Sequence, residues 1–223
     1  MGLEYLFQFN HLERLWYGLW QTIQIAFISV FISAILGTVL GVIMTSTNML
    51  IRIVCRVYLE LMRIIPILVL LFVFYFGFAT WFNWQFSSFW VCIFVFSLWG
   101  TAEMGDLVRA SISSIDRHQR DTAYALGLNQ LQVLGYVIFP QSLKRVTPSA
   151  LNLFTRMIKT SSLAVLIGVV EVLKVGQQII ENSLLTVPNA SLWIYGFIFM
   201  LYFLICYPLS RVATHLEKIW EKA

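Results

Sequence analysis

The segment "RDTAYALGLNQLQVLGYVIFP", from Arg120 to Pro140, is polar and carries alanine and glycine, although the whole chain is 59% hydrophobic. Only 12% of the 223 residues are charged, whereas soluble domains have about 25%. The mean hydropathy is +0.79. Apolar residues lie in runs as long as the roughly 20 residues that one helical membrane crossing needs. The sequence therefore predicts an all-α, polytopic membrane helical bundle that keeps Arg120 to Pro140 outside the bilayer.

Five membrane spans are predicted from the apolar runs, within a single transmembrane domain over residues 1–223. They are Gly18–Met44, Ile53–Trp81, Ser88–Ile112, Thr147–Val169 and Leu192–Ala213. Gly37 and Gly41 in the first span have the spacing that lets two helices approach closely. Pro66 is expected to kink the second span.

The basic residues predict the orientation, because short cytoplasmic loops carry an excess of Lys and Arg. One side of the membrane has only Arg14 and Lys174. The other side has the remaining clusters, which are Arg52, Arg56, Arg63, Arg109, Arg117, Arg120, Lys144, Arg145, Arg211, Lys218 and Lys222. We therefore expect the N-terminus outside, and the C-terminus and the segment Arg120 to Pro140 inside. Cations gathered on one membrane face also account for the net charge of +4 without a nucleic-acid partner.

The residues around "DTAYALG" predict a short helix with marked ends. Asp116 is expected to cap its start, with Gln119 completing a capping box. Gly127 suits the left-handed conformation that ends many helices. A second short helix is predicted from Asn129 to Phe139, ending at Pro140.

Two small residues of this segment, Ala123 and Gly127, stand four positions apart. On a helix they share one face, and a face without bulk lets another protein come close. We expect a docking surface for a cytoplasmic partner. The alternative is an amphipathic hairpin that lies on the membrane surface.

The segment resembles the EAA signature of ABC importer permeases, which is Glu-Ala-Ala, a Gly four residues on, and a closing Pro. Here Asp121-Thr122-Ala123 stand for Glu-Ala-Ala, Gly127 for the glycine and Phe139-Pro140 for the end. Asp for Glu and Thr for the first Ala are departures from the pattern.

Three further segments resemble the polar amino acid branch of that family. They are "YLELMRIIPILVLLFVFYFG" (Tyr58 to Gly77), "LVRASISSI" (Leu107 to Ile115) and "KTSSLAVLIGVVEV" (Lys159 to Val172). The resemblance covers most of residues 18 to 215.

This resemblance implies a multi-pass permease of a bacterial cytoplasmic membrane whose loop, about residues 114–140, couples to a cytoplasmic ABC ATPase dimer. The implied contact residues are Asp121, Thr122, Ala123, Ala125, Gly127 and Pro140. A second permease subunit, identical or paralogous, and an extracytoplasmic amino-acid-binding protein are the other implied partners. The chain has no G-x-x-x-x-G-K-[ST] phosphate loop, so ATP and Mg²⁺ are expected on the partner and no cofactor or metal on this chain.

Ionisable residues inside spans are candidate functional groups. Glu103 and Asp106 share a face of the third span, and Lys159, Thr160 and Ser161 lie in the fourth. Together they offer partners for the carboxylate and the ammonium of an amino acid. Two close carboxylates resist joint ionisation, which predicts a slight preference for a cationic or zwitterionic substrate.

Structural roles for the same residues stay open. Arg109, three residues after Asp106, can neutralise it. Lys159 can pair with an acid of the third span. Glu60 and Arg63 are expected to form an ion pair at the inner edge of the second span.

Two other classes of function compete with the permease. A secondary transporter driven by an ion gradient predicts inverted repeats and broken helices near the midplane, and we find no repeat. A membrane-embedded enzyme predicts a catalytic constellation, but the chain has no paired catalytic His, no Ser/Lys arrangement and no metal cluster. Its three histidines, His11, His118 and His215, fall outside the predicted spans.

Overall fold

The computed structural model of the protein describes residues 9–81, 86–183, 187 and 189–220, and the regular elements of these ranges are all helical. The α-helices are α1 (Phe9–Ile43), α2 (Met49–Ile64), α3 (Ile67–Trp81), α4 (Ser88–Ser113), α5 (Arg117–Ala125), α6 (Phe139–Thr160), α7 (Val172–Ser183) and α8 (Ala190–Trp220). Before α6 lie one α-helical turn, Gln130–Gln132, and a π-helical segment, Val133–Ile138. A 3₁₀ helix, Ser161–Ile167, follows α6.

The expected all-α membrane architecture is confirmed. By length and hydropathy, four described helical stretches are able to cross a membrane, and the pair α2 and α3 makes a fifth if it counts as one broken span. The helices extend beyond several predicted spans. α1 begins at Phe9 and α8 continues to Trp220.

The second predicted span is broken rather than kinked at Pro66. α2 ends at Ile64, Ile65 is extended with φ −77° and ψ 125°, and α3 begins at Ile67. The ring of a proline disfavours the helical conformation of the residue before it, which accounts for the extended Ile65. At its other end α2 is capped by Asn48, whose side chain accepts from the N–H of Leu50 and Ile51.

The predicted helix end at Pro140 is wrong. The chain passes from the π-helical segment into α6, of which Pro140 is the second residue. The N–H of Phe139 donates to the carbonyl of Leu134, five residues back. The wider π turn relieves the clash that a proline ring otherwise makes with the preceding α-helical turn.

The region after the fourth predicted span contains a helix that the apolar runs did not reveal. Gly168, with φ +86°, ends the 3₁₀ helix in the left-handed conformation. α7 then runs from Val172 to Ser183. It is too short and too polar to register as a span, because a crossing needs roughly 20 apolar residues.

The chain divides into two compact units. Unit one comprises Met1–Ser29, Ile67–Phe96 and Thr155–Pro208, and unit two comprises Val30–Pro66, Ser97–Phe154 and Leu209–Ala223. In unit one the start of α1, α7 and the first half of α8 enclose an apolar core that includes Leu15, Leu19, Val172, Ile179 and Ile194.

In unit two the second half of α1 packs closely on α4, as the glycine spacing predicted. A Cβ atom on Gly37 would lie 2.5 Å from Cβ of Met104, and one on Gly41 would lie 2.5 Å from Cβ of Val108. The Ser33 hydroxyl donates to the carbonyl of Ser97 across the same contact, at 3.3 Å. Close approach of small residues is how helices associate in lipid, where the hydrophobic effect does not drive them together.

Candidate functional site

The helix of the polar segment, α5, has well-defined ends. Asp116 caps its start, with its side chain accepting from the N–H of His118 at 3.0 Å. The end is a Schellman motif, in which Leu128 N–H donates to Ala123 O and Gly127 N–H donates to Tyr124 O. Gly127 has φ +83°, so its predicted left-handed conformation is confirmed.

The predicted capping box of α5 is not formed. The side-chain oxygen of Gln119 accepts from Nε2 of Gln141 at 2.7 Å instead. A reciprocal capping box is present instead at the next α-helical turn, Gln130–Gln132, between Asn129 and Gln132. Both predicted ends of α5, Asp116 and Gly127, are therefore confirmed, and only the role of Gln119 in a capping box was wrong.

Ala123 does not belong to an exposed small face, because its side chain is turned inward and only 4% exposed. Its small size instead lets α5 pack on the rest of unit two. The exposed side includes Asp121, Thr122 and Ala125. Among apolar and aromatic side chains, Leu126 is 78% exposed. We use the name apolar patch for four such exposed side chains, which are Tyr124, Leu126, Leu131 and Tyr136.

Hydrogen bonds connect the polar segment and its flanking residues to the rest of unit two. Ser111 Oγ donates to the carbonyl of Ser142 at 2.8 Å. Nη1 of Arg145 donates to the carbonyl and the hydroxyl of Ser114 at 2.9 and 2.8 Å. Nη2 of Arg120 donates to the carbonyl of Ile112 at 2.8 Å. Among these bonds that of Arg120 joins α5 to α4, and the bond between Gln119 and Gln141 joins α5 to α6.

The two acids of the third span share one arginine, Arg63 of α2. Its Nε lies 3.3 Å from Oε1 of Glu103, and its Nη2 lies 2.6 Å from Oδ2 of Asp106. Arg109 also binds Asp106, with Nε 2.9 Å and Nη2 2.5 Å from Oδ1. The expected pair of Arg63 with Glu60 is therefore replaced by contacts to residues some forty positions away.

This arrangement balances the local charge. Two guanidinium groups face two carboxylates whose side chains are 16% and 19% exposed. Such planar, charge-assisted contacts are among the strongest hydrogen bonds in proteins. The repulsion between Glu103 and Asp106, on which the expected preference for a cationic substrate depended, is already relieved within the protein.

The hydroxyl groups predicted in the fourth span bind their own helix. Thr160 Oγ1 donates to the carbonyl of Arg156 at 2.9 Å, and Ser161 Oγ donates to the carbonyl of Ile158 at 2.7 Å. Ser161 is buried, whereas Lys159 is exposed. These three residues belong to unit one and the two acids to unit two.

A buried carboxylate that sequence reasoning missed is Glu171, which is 0% exposed. It accepts from the N–H of Leu173 at 3.0 Å, from the N–H of Lys174 at 2.9 Å and from the hydroxyl of Thr22 at 3.3 Å. Burial raises the pKa of this carboxyl, and the backbone hydrogen bonds oppose that rise. The available signal was an acidic residue just before a helix, but a search confined to predicted spans stopped at Val169.

Comparison with known families identifies the architecture. Residues 35–221 match the family described as binding-protein-dependent transport system inner membrane component. The probable amino-acid ABC transporter permease protein YckA of Bacillus subtilis is 34% identical over 157 residues, covering 70% of this chain and 69% of the relative. The probable glutamine ABC transporter permease protein GlnP of the same organism is 28% identical, covering 93% and 94%.

Solved structures agree with these relatives. A crystal structure of an amino acid ABC transporter with histidines superposes with a TM-score of 0.85 at 25% identity, covering 98% of this chain and 99% of that one. The inward-facing MetNI methionine ABC transporter superposes with a TM-score of 0.74 at 16% identity, covering 94% and 99%. The latter likeness shows a shared fold.

Proposed function

The chain belongs to the inner membrane components of binding-protein-dependent transport systems, and among them to the amino-acid ABC transporter permeases; from that premise we propose that it imports a polar amino acid at the expense of ATP hydrolysed by a partner. The chain is a multi-pass membrane protein of the inner membrane. The observation that carries the proposal is α5, a capped helix that hydrogen-bonds to α4 and α6 and lies beside an exposed apolar patch. A surface of that kind fits a cytoplasmic ATPase.

In the proposed mechanism, a partner ATPase dimer binds ATP and Mg²⁺, and this chain is not catalytic. Closure of the dimer pushes on α5. The hydrogen bonds of Arg120 and Gln119 pass that movement to α4 and α6, which Ser111 and Arg145 connect to each other. A second permease subunit completes the pathway, and an extracytoplasmic binding protein delivers the substrate.

We propose a zwitterionic polar amino acid as the substrate. The relatives are named for the transport of glutamine, cystine and arginine, of which the first two fit this class. The charge balance around Glu103 and Asp106 leaves no excess negative charge there to select a basic side chain. Lys159, Thr160 and Ser161 remain candidates for contact with the substrate.

Co-purification tests the partnership. A tagged chain solubilised in mild detergent should retain a phosphate-loop ATPase from its source membrane. The double substitution Leu126→Gln and Leu131→Gln should release that ATPase, whereas Lys144→Gln, an exposed change outside the apolar patch, should not. Uptake that continues without ATP but follows an ion gradient would favour a secondary transporter and contradict the proposal.

Gly127 provides a test of coupling. Gly127→Trp should leave the protein inserted in the membrane but abolish ATP-driven uptake in proteoliposomes, because the bulk stands at the docking surface. No described atom lies within 4 Å of a Cβ placed on Gly127, so the substitution strains only the left-handed backbone of this residue and causes no steric clash within the chain. Gly127→Asn is the matched control, since Asn tolerates the left-handed conformation. Normal uptake by the tryptophan variant would exclude docking at this position.

The proposed orientation, with the N-terminus outside, is tested by cysteine labelling. Ser183, which the sequence placed in an outer loop, is buried at the end of α7, so its exposed neighbour Asn182 is the better probe. Cysteine at position 182 should react with an impermeant thiol reagent in intact cells, and cysteine at Gln132 should not. The three native cysteines are buried and give little background. The reverse labelling pattern would overturn the orientation.

A further inference from the structure

Unit two contains a basic cavity that the transport function does not explain. Its volume is about 660 Å³, and six arginines and two carboxylates are among the residues that line it. The arginines come from three elements of the chain. Arg52, Arg56 and Arg63 belong to α2, Arg109 belongs to α4, and Arg117 and Arg120 belong to α5. The lining therefore carries an excess of positive charge that converges from several directions.

Only part of that charge is balanced within the protein. The two lining carboxylates are Glu60 and Asp106. Arg63 and Arg109 bind Asp106, and Arg63 also binds Glu103. Within the described part of the chain, the side chains of Arg52, Arg56 and Arg117 have neither a hydrogen bond nor an ion pair. They are exposed toward the cavity side of unit two and are free to bind an anion.

Arg120 gives a second and independent indication of a ligand. Its Nη2 is bound to the carbonyl of Ile112 at 2.8 Å. Its Nε is buried and lacks a hydrogen-bond partner in the part of the chain that the structure describes. A buried donor left unpaired is costly, and because Arg120 lines the cavity, a turn of its side chain would bring this donor to an acceptor oxygen bound there.

We propose that this cavity binds a phosphate group carried by an anionic lipid headgroup. Guanidinium groups match the geometry of phosphate oxygens and bind them in pairs. Basic pockets between membrane helices are suited to anionic headgroups. The cavity is large enough for a whole glycerophosphate group.

The lipid is favoured over a soluble phosphate by α2 itself. The helix has 16 residues, which is shorter than the roughly 20 needed for a crossing. It carries a stripe of exposed apolar side chains at helical spacing, which are Val54, Val57, Leu61 and Ile64. One helix thus offers arginines to a headgroup and an apolar surface to acyl chains, as helices at a membrane interface do.

The experiment titrates the purified full-length chain, in a non-ionic detergent, with short-chain phosphatidylglycerol, short-chain phosphatidylcholine and inorganic phosphate. Phosphatidylglycerol should bind saturably and at least about tenfold more tightly than the other two. The double variant Arg52→Gln and Arg56→Gln should weaken its binding by about fivefold for each arginine removed. Both side chains are exposed and make neither a hydrogen bond nor an ion pair with the described residues, so the variant should fold.

Two further variants localise the site. Arg117→Gln, on α5, should also cost about fivefold, because the ligand contacts the cavity from both helices. Lys144→Gln removes a positive charge from an exposed position outside the cavity and should change nothing. Equal losses in all variants, Lys144→Gln included, would mean general adsorption, and a loss confined to the α2 variant would mean that the ligand does not reach α5; either result would overturn the site. Inorganic phosphate that binds as tightly as phosphatidylglycerol would overturn the lipid as its source.

Discussion

The two units of the molecule hold carboxylates in different ways. In unit one, Glu171 is fully buried and accepts hydrogen bonds from neutral donors, namely two backbone N–H groups and the hydroxyl of Thr22. In unit two, Glu103 and Asp106 keep 16% and 19% of their side-chain exposure and face guanidinium groups. The hydrogen bonds of unit one fix the position of the Glu171 side chain, whereas the ion pairs of unit two neutralise the charges of Glu103 and Asp106.

This difference indicates separate roles for the two sites. The backbone donors of Leu173 and Lys174 cannot rearrange without unfolding the start of α7, so they hold the Glu171 side chain in place, and its contact with the Thr22 hydroxyl joins α7 to α1. Arginine side chains can turn to new partners, so the ion pairs of unit two are able to change during a transport cycle. The following predictions test that contrast.

Glu171→Ala should have the largest effect on stability. It leaves the backbone N–H groups of Leu173 and Lys174 without their acceptor, at a cost of about 2–3 kcal/mol in total, whereas the Thr22 hydroxyl keeps the carbonyl of Gly18 as an acceptor at 3.1 Å. The thermal unfolding temperature of the detergent-solubilised protein measures this loss. Glu171→Gln retains one side-chain oxygen as an acceptor and should lose less. Equal stability of the alanine variant and the unaltered protein would show that Glu171 does not fasten α7.

Asp106→Asn should lower the free energy of unfolding by an intermediate amount, about 1–2 kcal/mol, which lies between the values for exposed and buried ion pairs. Its partners Arg63 and Arg109 lose their main counter-charge. A double-mutant cycle with Arg109→Gln, followed by thermal unfolding, should show strong coupling. Glu181→Gln, an exposed change on α7, is the control. Additive losses in the cycle would contradict a working ion pair.

Glu103→Gln should have the smallest effect on the free energy of unfolding, about 0.5 kcal/mol, because its Oε1 lies 3.3 Å from Nε of Arg63, farther than the arginine nitrogens lie from Asp106. Uptake of a basic amino acid and of glutamine should change in equal proportion. Competition assays in proteoliposomes compare the two. A selective loss of the basic substrate would show that Glu103 faces the pathway and would restore a cationic preference.

Much of the architecture could be predicted from local patterns. Long apolar runs indicated the membrane helices, and the spacing of Gly37 and Gly41 indicated a close helix contact. Asp116 and Gly127 marked the ends of α5, since capping depends on residues within one turn of each other. Each of these signals is local or periodic.

The features that escaped prediction depend on contacts between distant residues. Arg63 binds acids forty and forty-three positions away, and nothing in its neighbourhood distinguishes that pairing from one with Glu60. Ala123 packs against its own unit. A small residue is compatible with either a buried or an exposed helix face, so the sequence did not show which face Ala123 occupies. Pro140 lies within a helix because a π turn precedes it. Patterns of capping and hydropathy do not predict π turns.

The close contact between α1 and α4 also has a consequence for biosynthesis. Ser33 and Ser97, which meet across it, are 64 residues apart in the chain. At about 5–20 residues per second, translation takes roughly 3–13 s to proceed from one to the other. During that time Gly37 and Gly41 present an open groove to lipid, because the helix that fills it has not been made. Docking of α4 must then displace lipid from the groove, so this part of unit two assembles only after both helices have entered the bilayer.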